Sequence, residues 1–146
     1  MFESLTVLDN IFLISDDVDI INDYLNKFEL EDFKNQIVHK LSNGQKKRVQ
    51  LLCTVLRNPS IIIADEPTAA LDFDNVNKVM DLLKDLSNEH IVIVVTHDNA
   101  IALKYGDRLI YLNKGKITND INNKELKSIN NNFKNNRKPS FKDHLL

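Results

Sequence analysis

The apolar residues of this chain change their spacing along its length, and the change outlines its elements. Ile21, Tyr24, Leu25 and Phe28 fall at i, i+3, i+4 and i+7, one face of a helix. Asp16, Asp17 and Asp19 stand at its start, where negative charge suits the positive end of a helix dipole. Residues 1 to about 40 therefore read as loop and helix. Val49, Leu52, Cys53 and Leu56 give a second apolar face within Asn43–Arg57. That helix should stop near Asn58, because the residue before Pro59 is turned away from the helical region.

The spacing then gives way to short apolar runs. Ile61-Ile62-Ile63-Ala64 and Ile91-Val92-Ile93-Val94-Val95 are continuous, as expected of strands buried on both faces. Between them, Val76, Val79, Met80, Leu83 and Leu86 mark one side of a helix. Strand, helix and strand in about 35 residues predict a βαβ unit with parallel strands and a right-handed crossover. A short helix around Asn99 to Tyr105 leads to a strand at Arg108-Leu109-Ile110-Tyr111-Leu112. Asn113-Lys114-Gly115 then turns the chain into a hairpin through Lys116-Ile117-Thr118. From about Asn119 the chain is crowded with asparagine and lysine, and a short helix around Lys124 to Ile129 followed by a mobile, solvated tail is expected. The fold class is α/β.

Composition narrows the chemistry. The chain has 146 residues, enough for one domain with a real core. Its three glycines, Gly44, Gly106 and Gly115, cannot form G-x-G-x-x-G or the phosphate loop G-x-x-x-x-G-K-[ST]. A net charge of −2 gives no reason to expect nucleic acid as a partner. One cysteine, Cys53, excludes an internal disulfide and the cysteine-based zinc patterns, and its place on an apolar helix face makes it a core residue. No apolar run approaches the roughly 20 residues that span a bilayer. The start lacks a basic flank before an apolar stretch, so no signal peptide is expected and a cytosolic setting is the default.

Parallel strands deliver side chains to one place, beyond their carboxyl ends. Asp65 and Glu66 end the first strand, and Thr96, His97 and Asp98 end the second. A hard cation such as Mg²⁺ takes oxygen ligands and keeps several waters, so one carboxylate can suffice from the protein. The other carboxylate is then available to orient or deprotonate a water, and an imidazole can bond a phosphate oxygen. Leu41-Ser42-Asn43-Gly44-Gln45 opens the second helix. Ser42 suits an N-cap, and the unpaired N–H groups behind it make an anion site, with Lys46, Lys47 and Arg48 adding positive charge.

These three segments, in this order and spacing, resemble the ATP-binding-cassette (ABC) transporter ATPases. Leu41-Ser42-Asn43-Gly44-Gln45 looks like the signature motif LSGGQ. Ile61 to Asp72 looks like the Walker B strand, the adjoining catalytic glutamate and the D-loop, and Thr96-His97-Asp98 looks like the switch histidine. Leu5-Thr6-Val7-Leu8-Asp9-Asn10-Ile11 and the closing hairpin are also similar, so the likeness runs from about residue 2 to 118. It implies a P-loop NTPase-like ABC domain over 1–118, with a helical signature region over 1–57 and the stretch from Walker B to the hairpin over 58–118. A polar, basic tail over 119–146 would follow.

The resemblance also implies roles. Asp65 would hold Mg²⁺, Glu66 would polarise the attacking water and His97 would contact the γ-phosphate. Ser42, Asn43, Gly44 and Gln45 would close over ATP held by a second ABC subunit in a head-to-tail dimer. Asp72 would link the two sites, and an integral membrane permease, a separate protein, would hold the subunit at the inner face of the membrane. Asn43 departs from the usual glycine, although asparagine tolerates left-handed backbone.

The larger departure is at the front, where the resemblance places the phosphate loop and the Q-loop glutamine before Met1. The chain is thus expected to be the domain without its N-terminal part, and not to turn over ATP alone. The strings favour transport proteins of the lipoprotein-release or macrolide-export type. A non-catalytic binding module and a gene-model fragment are the alternative readings.

Overall fold

Among the described residues, each α-helix begins on a side chain that accepts a first-turn backbone amide. In the computed structural model, which describes residues 1–123, Thr6 Oγ1 accepts the Asp9 N–H at 3.0 Å and the Asp9 carboxylate accepts the Thr6 N–H at 3.3 Å. This capping box starts α1 (Val7–Phe12), a helix too short to show a period in sequence. Asp17 caps α2 (Val18–Lys27) by accepting the Ile20 N–H at 3.1 Å. Two short 3₁₀ turns, Glu31–Phe33 and Val38–Lys40, lead to α3 (Asn43–Val55). Asn58 takes a φ of 48° just beyond α3, a left-handed turn that asparagine tolerates, and the helix closes slightly before the expected Arg57.

Next come β1 (Ile61–Asp65), α4 (Phe73–Leu86) and β2 (Ile91–Val95). The strands pair in parallel, in register from Ile61 opposite Ile91 to Asp65 opposite Val95, as the βαβ pattern predicts. α3 packs against α1 and α4, and α4 packs against β2. The core is built from Val7, Ile11, Leu25, Phe28, Val49, Leu52, Ile62, Val79 and Leu83, all at most 2% exposed. Cys53 is buried with them, and burial pushes its thiol up.

One expectation for the strands fails. Ile62 and Ala64 are buried, but Ile61, Ile63, Ile91, Ile93 and Val95 are exposed, Ile63 to 69%. α4 covers one face of the pair. A run of β-branched residues reads the same whether one face or both are covered, so the sequence could not make the distinction.

Residues 1–97 form one compact unit and the described residues from Asp98 onward a second. In the second unit, Asp98 caps α5 (Asn99–Tyr105) through the Ala100 and Ile101 N–H groups. β3 (Arg108–Asn113) and β4 (Lys116–Asn122) form the antiparallel hairpin. Its turn uses positive φ at Lys114 (48°) and Gly115 (74°), the geometry that matches strand twist in two-residue hairpins. β4 continues past the expected Thr118 to Asn122, held by the Arg108–Asp120 pair at 2.7 and 2.9 Å. The Asn123 amide donates to the Leu103 and Gly106 carbonyls, closing the end of α5. The expected helix near Lys124 to Ile129 and the remaining tail lie outside the described residues.

Leu52 is fully buried where α3 meets the other helices. Leu52→Ala should lower unfolding free energy by about 2–5 kcal/mol, read as a shift of the urea midpoint at unchanged slope.

Candidate functional site

The parallel register determines where the strand-end residues go. Because Asp65 lies opposite Val95, the residues that follow leave the sheet side by side. The Glu66 N–H donates to the Val95 carbonyl at 2.9 Å, which extends the ladder by one bond. To make that bond and still turn out of the strand, Glu66 takes a φ of 43°. A left-handed backbone on a residue with a Cβ costs about 1–3 kcal/mol, and such positions cluster at functional sites.

Glu66 Oε1 receives His97 twice. The His97 backbone N–H donates to it at 3.2 Å, and Nδ1 lies 2.7 Å from it. A carboxylate partner favours the tautomer that carries its proton on Nδ1. The His97 side chain is 88% exposed and the Glu66 side chain 35%. The arrangement brings a carboxylate and an imidazole together at the strand ends, groups suited to ordering a water and an anionic oxygen.

Asp65 is exposed at the end of β1, one residue before Glu66. Among the described residues no group of three or more His, Cys, Asp or Glu side chains gathers for a metal. That donor set suits a hard cation held by one carboxylate with its remaining positions filled by water and phosphate, and it does not suit zinc.

The second group of expected residues sits where α3 starts. Ser42 caps it: Ser42 Oγ accepts the Gln45 N–H at 3.2 Å, and Gln45 Oε1 accepts the Ser42 N–H at 2.8 Å. This fixes the loop-to-helix angle and leaves other first-turn amides for an anion. Ser42 and Asn43 are exposed, and Gly44 is buried. Gly44 faces Asn75 in the first turn of α4: a Cβ on Gly44 would come within 3.0 Å of Asn75 Oδ1, Cγ and Cβ. Asp72 caps α4 by accepting the Asn75 N–H at 2.9 Å, and its two oxygens also take the Asn75 side-chain amide at 3.0 and 2.8 Å. The backbone and then the side-chain N–H of Asn75 hold the Asp72 carboxyl below the usual carboxylate range. The pairing is therefore fully present above the ordinary carboxylate pKa and is lost as pH falls through the lowered value.

Two sequence expectations about charge change. Lys46 pairs with Glu3 at 3.3 Å. Arg48 is 5% exposed and donates to the Phe28 carbonyl at 3.2 Å and to Glu29 Oε2 at 2.9 Å. It points into the protein, so it adds no free positive charge to the start of α3. Asn75 went unnoticed in the sequence. Its signal was an asparagine three residues after a capping aspartate, which reads as one more solvated side chain on a helix.

The model of the ABC transporter family matches residues 1–69. HrtA of Staphylococcus aureus, named as a hemin import ATP-binding protein, is 44% identical over 96 residues, 64% of this chain and 43% of HrtA. The matched segment thus spans less than half the length of that curated relative. The ATP-binding cassette MJ0796, solved as a dimer and with ADP and Pi, superposes with a TM-score of 0.70 at 35% identity, covering 84% of this chain and 58% of that one. CbiO1 of Clostridium perfringens, part of the ABC transporter complex cbiONQ, superposes at 0.73 with 27% identity, covering 90% and 57%.

The matches correct the subfamily. The relatives are HrtA and CbiO1 rather than lipoprotein-release or macrolide-export ATPases. The family match opens at residue 1, so the first residues of the chain already lie within the family's model.

The strain at Glu66 is testable apart from any activity. Glu66→Gly should raise unfolding free energy by about 0.5–1 kcal/mol, whereas Glu66→Ala, which keeps the Cβ, should not. Urea titration of the two variants side by side checks this.

Proposed function

We propose that the chain belongs to the ABC ATPases, which its motifs, fold and relatives resemble, and that it works in ATP hydrolysis coupled to transport. The observation that carries this reading is the Glu66–His97 pair at the ends of two parallel strands. Phosphoryl transfer needs little covalent chemistry from a protein, and positioning and charge stabilisation do most of the work.

In this reading Glu66 orients the attacking water. Oε1 is engaged by His97, so Oε2 accepts the water's hydrogen bond as its oxygen approaches the γ-phosphorus and the bond to the ADP oxygen breaks. His97 offers Nε2 to a γ-phosphate oxygen, and its Nδ1–H bond to Glu66 fixes the ring's angle. Asp65 would hold Mg²⁺, which would supply positive charge against the phosphate oxygens. Ser42, Asn43, Gly44 and Gln45, with the first-turn amides of α3, close over the γ-phosphate of nucleotide on a second subunit. Asp72 lies between the two sites of that pair.

The MJ0796 cassette, solved as a dimer, supports a second ABC subunit as partner. A membrane permease is the further partner proposed. No helix among the described residues is long and apolar enough to cross a membrane. The 44% identity to HrtA makes hemin the first cargo to assay.

In the assembled transporter, Glu66→Gln should lower ATP turnover by roughly 10²–10⁴-fold while nucleotide binding persists. Phosphate release and nucleotide retention, measured on one preparation, check it. Undiminished turnover removes Glu66 from this role.

A further inference from the structure

Gly44 and Asp72 are 28 residues apart in sequence, yet one side chain stands between them. That side chain is Asn75. Its amide nitrogen is held by both oxygens of Asp72, at 3.0 and 2.8 Å, and its backbone N–H by Oδ1 at 2.9 Å. Three bonds to one carboxylate leave the Asn75 side chain a single orientation. Its other side lies against Gly44, so close that even a methyl group there would overlap three of its atoms. Gly44 is the second residue of α3, and its neighbours Ser42 and Gln45 close the capping box. A rigid contact at Gly44 therefore sets the position of the whole first turn of α3.

We propose that Asn75 is a positioning residue, a strut that ties the start of α3 to Asp72. Displacement of Asp72 then moves Ser42 and Gln45 with it, because neither the clamped amide nor its close approach to Gly44 has slack. Gly44 is required by this approach, which explains a glycine inside a helical first turn where it otherwise costs about 1 kcal/mol relative to alanine. The use of the strut in closing over nucleotide rests on the function proposed above, but the strut itself is a property of the folded chain and is tested without nucleotide.

The full chain is labelled with ¹⁵N and the amide resonances of Gly44 and Gln45 are followed. Asp72→Ser keeps a capping oxygen for α4 but drops the two-oxygen clamp. It should shift both resonances, and the shift should shrink by more than half when Asn75→Gly is also present. An equal shift in both backgrounds overturns the proposal, as does no shift in either. A second arm covers variants that fold poorly. Gly44→Ala should lower the urea midpoint, Asn75→Gly in the same chain should recover at least half of the loss, and Asn75→Ala should recover less because its Cβ still overlaps. Strictly additive losses overturn the strut. An active Glu66→Gln enzyme would defeat the transport reading while leaving both of these outcomes unchanged.

Discussion

In-register parallel pairing of β1 with β2 is the constraint on which the site depends. Two strands that run the same way and end level deliver their following residues to one edge. Asp65 opposite Val95 puts Glu66 beside His97 with no further device. A slip of one residue would turn every strand side chain to the other face and carry Glu66 away from the imidazole. The single extra ladder bond from Glu66 to Val95 is also what forces the left-handed turn at Glu66. Register, backbone strain and side-chain pairing are thus three results of one alignment.

The helical part is held to that edge by different means. Apolar packing between α3 and α4 supplies most of the stabilisation, and a small charged cluster fixes the angle. Glu29, itself at a φ of 53°, accepts from Arg48 on α3 and Lys78 on α4, so one carboxylate joins two helices and the turn after α2. Lys78 is nearly half exposed, and such pairs contribute little free energy, so the cluster acts mainly by geometry. Among the described residues the Arg48 Nε finds no hydrogen-bond partner, a cost accepted where the guanidinium is buried to reach the Phe28 carbonyl.

Much of this was legible in the residues. The helical period of Ile21 to Phe28, the βαβ alternation and the Ser42–Gln45 box gave the elements, because each depends on local spacing. Asp65, Glu66 and His97 were legible as strand-end residues, since parallel strands leave them no other place to go. Three features were not. α1 is six residues long, and its signal was the Thr6–Asp9 box rather than a period. One-sided burial of Ile61 to Ala64 depends on what packs above the sheet, which no run of isoleucines encodes. The approach of Asn75 to Gly44 depends on how two helices meet, a relation set by tertiary packing and invisible in either segment alone.

Among the described residues one face of β1 and β2 is uncovered, and that exposure bears on how the chain behaves in bulk. Both strands consist almost wholly of β-branched residues without a charge until Asp65, and each has an outer edge unpaired by any described strand. Such segments are templates for adding further strands, and proteins ordinarily protect them with lysine, proline or a covering element. Here the charge of Asp65 closes β1, and β2 carries no lysine, proline or charged residue. Self-association through this sheet is therefore a competitor of the native state whose weight grows with concentration.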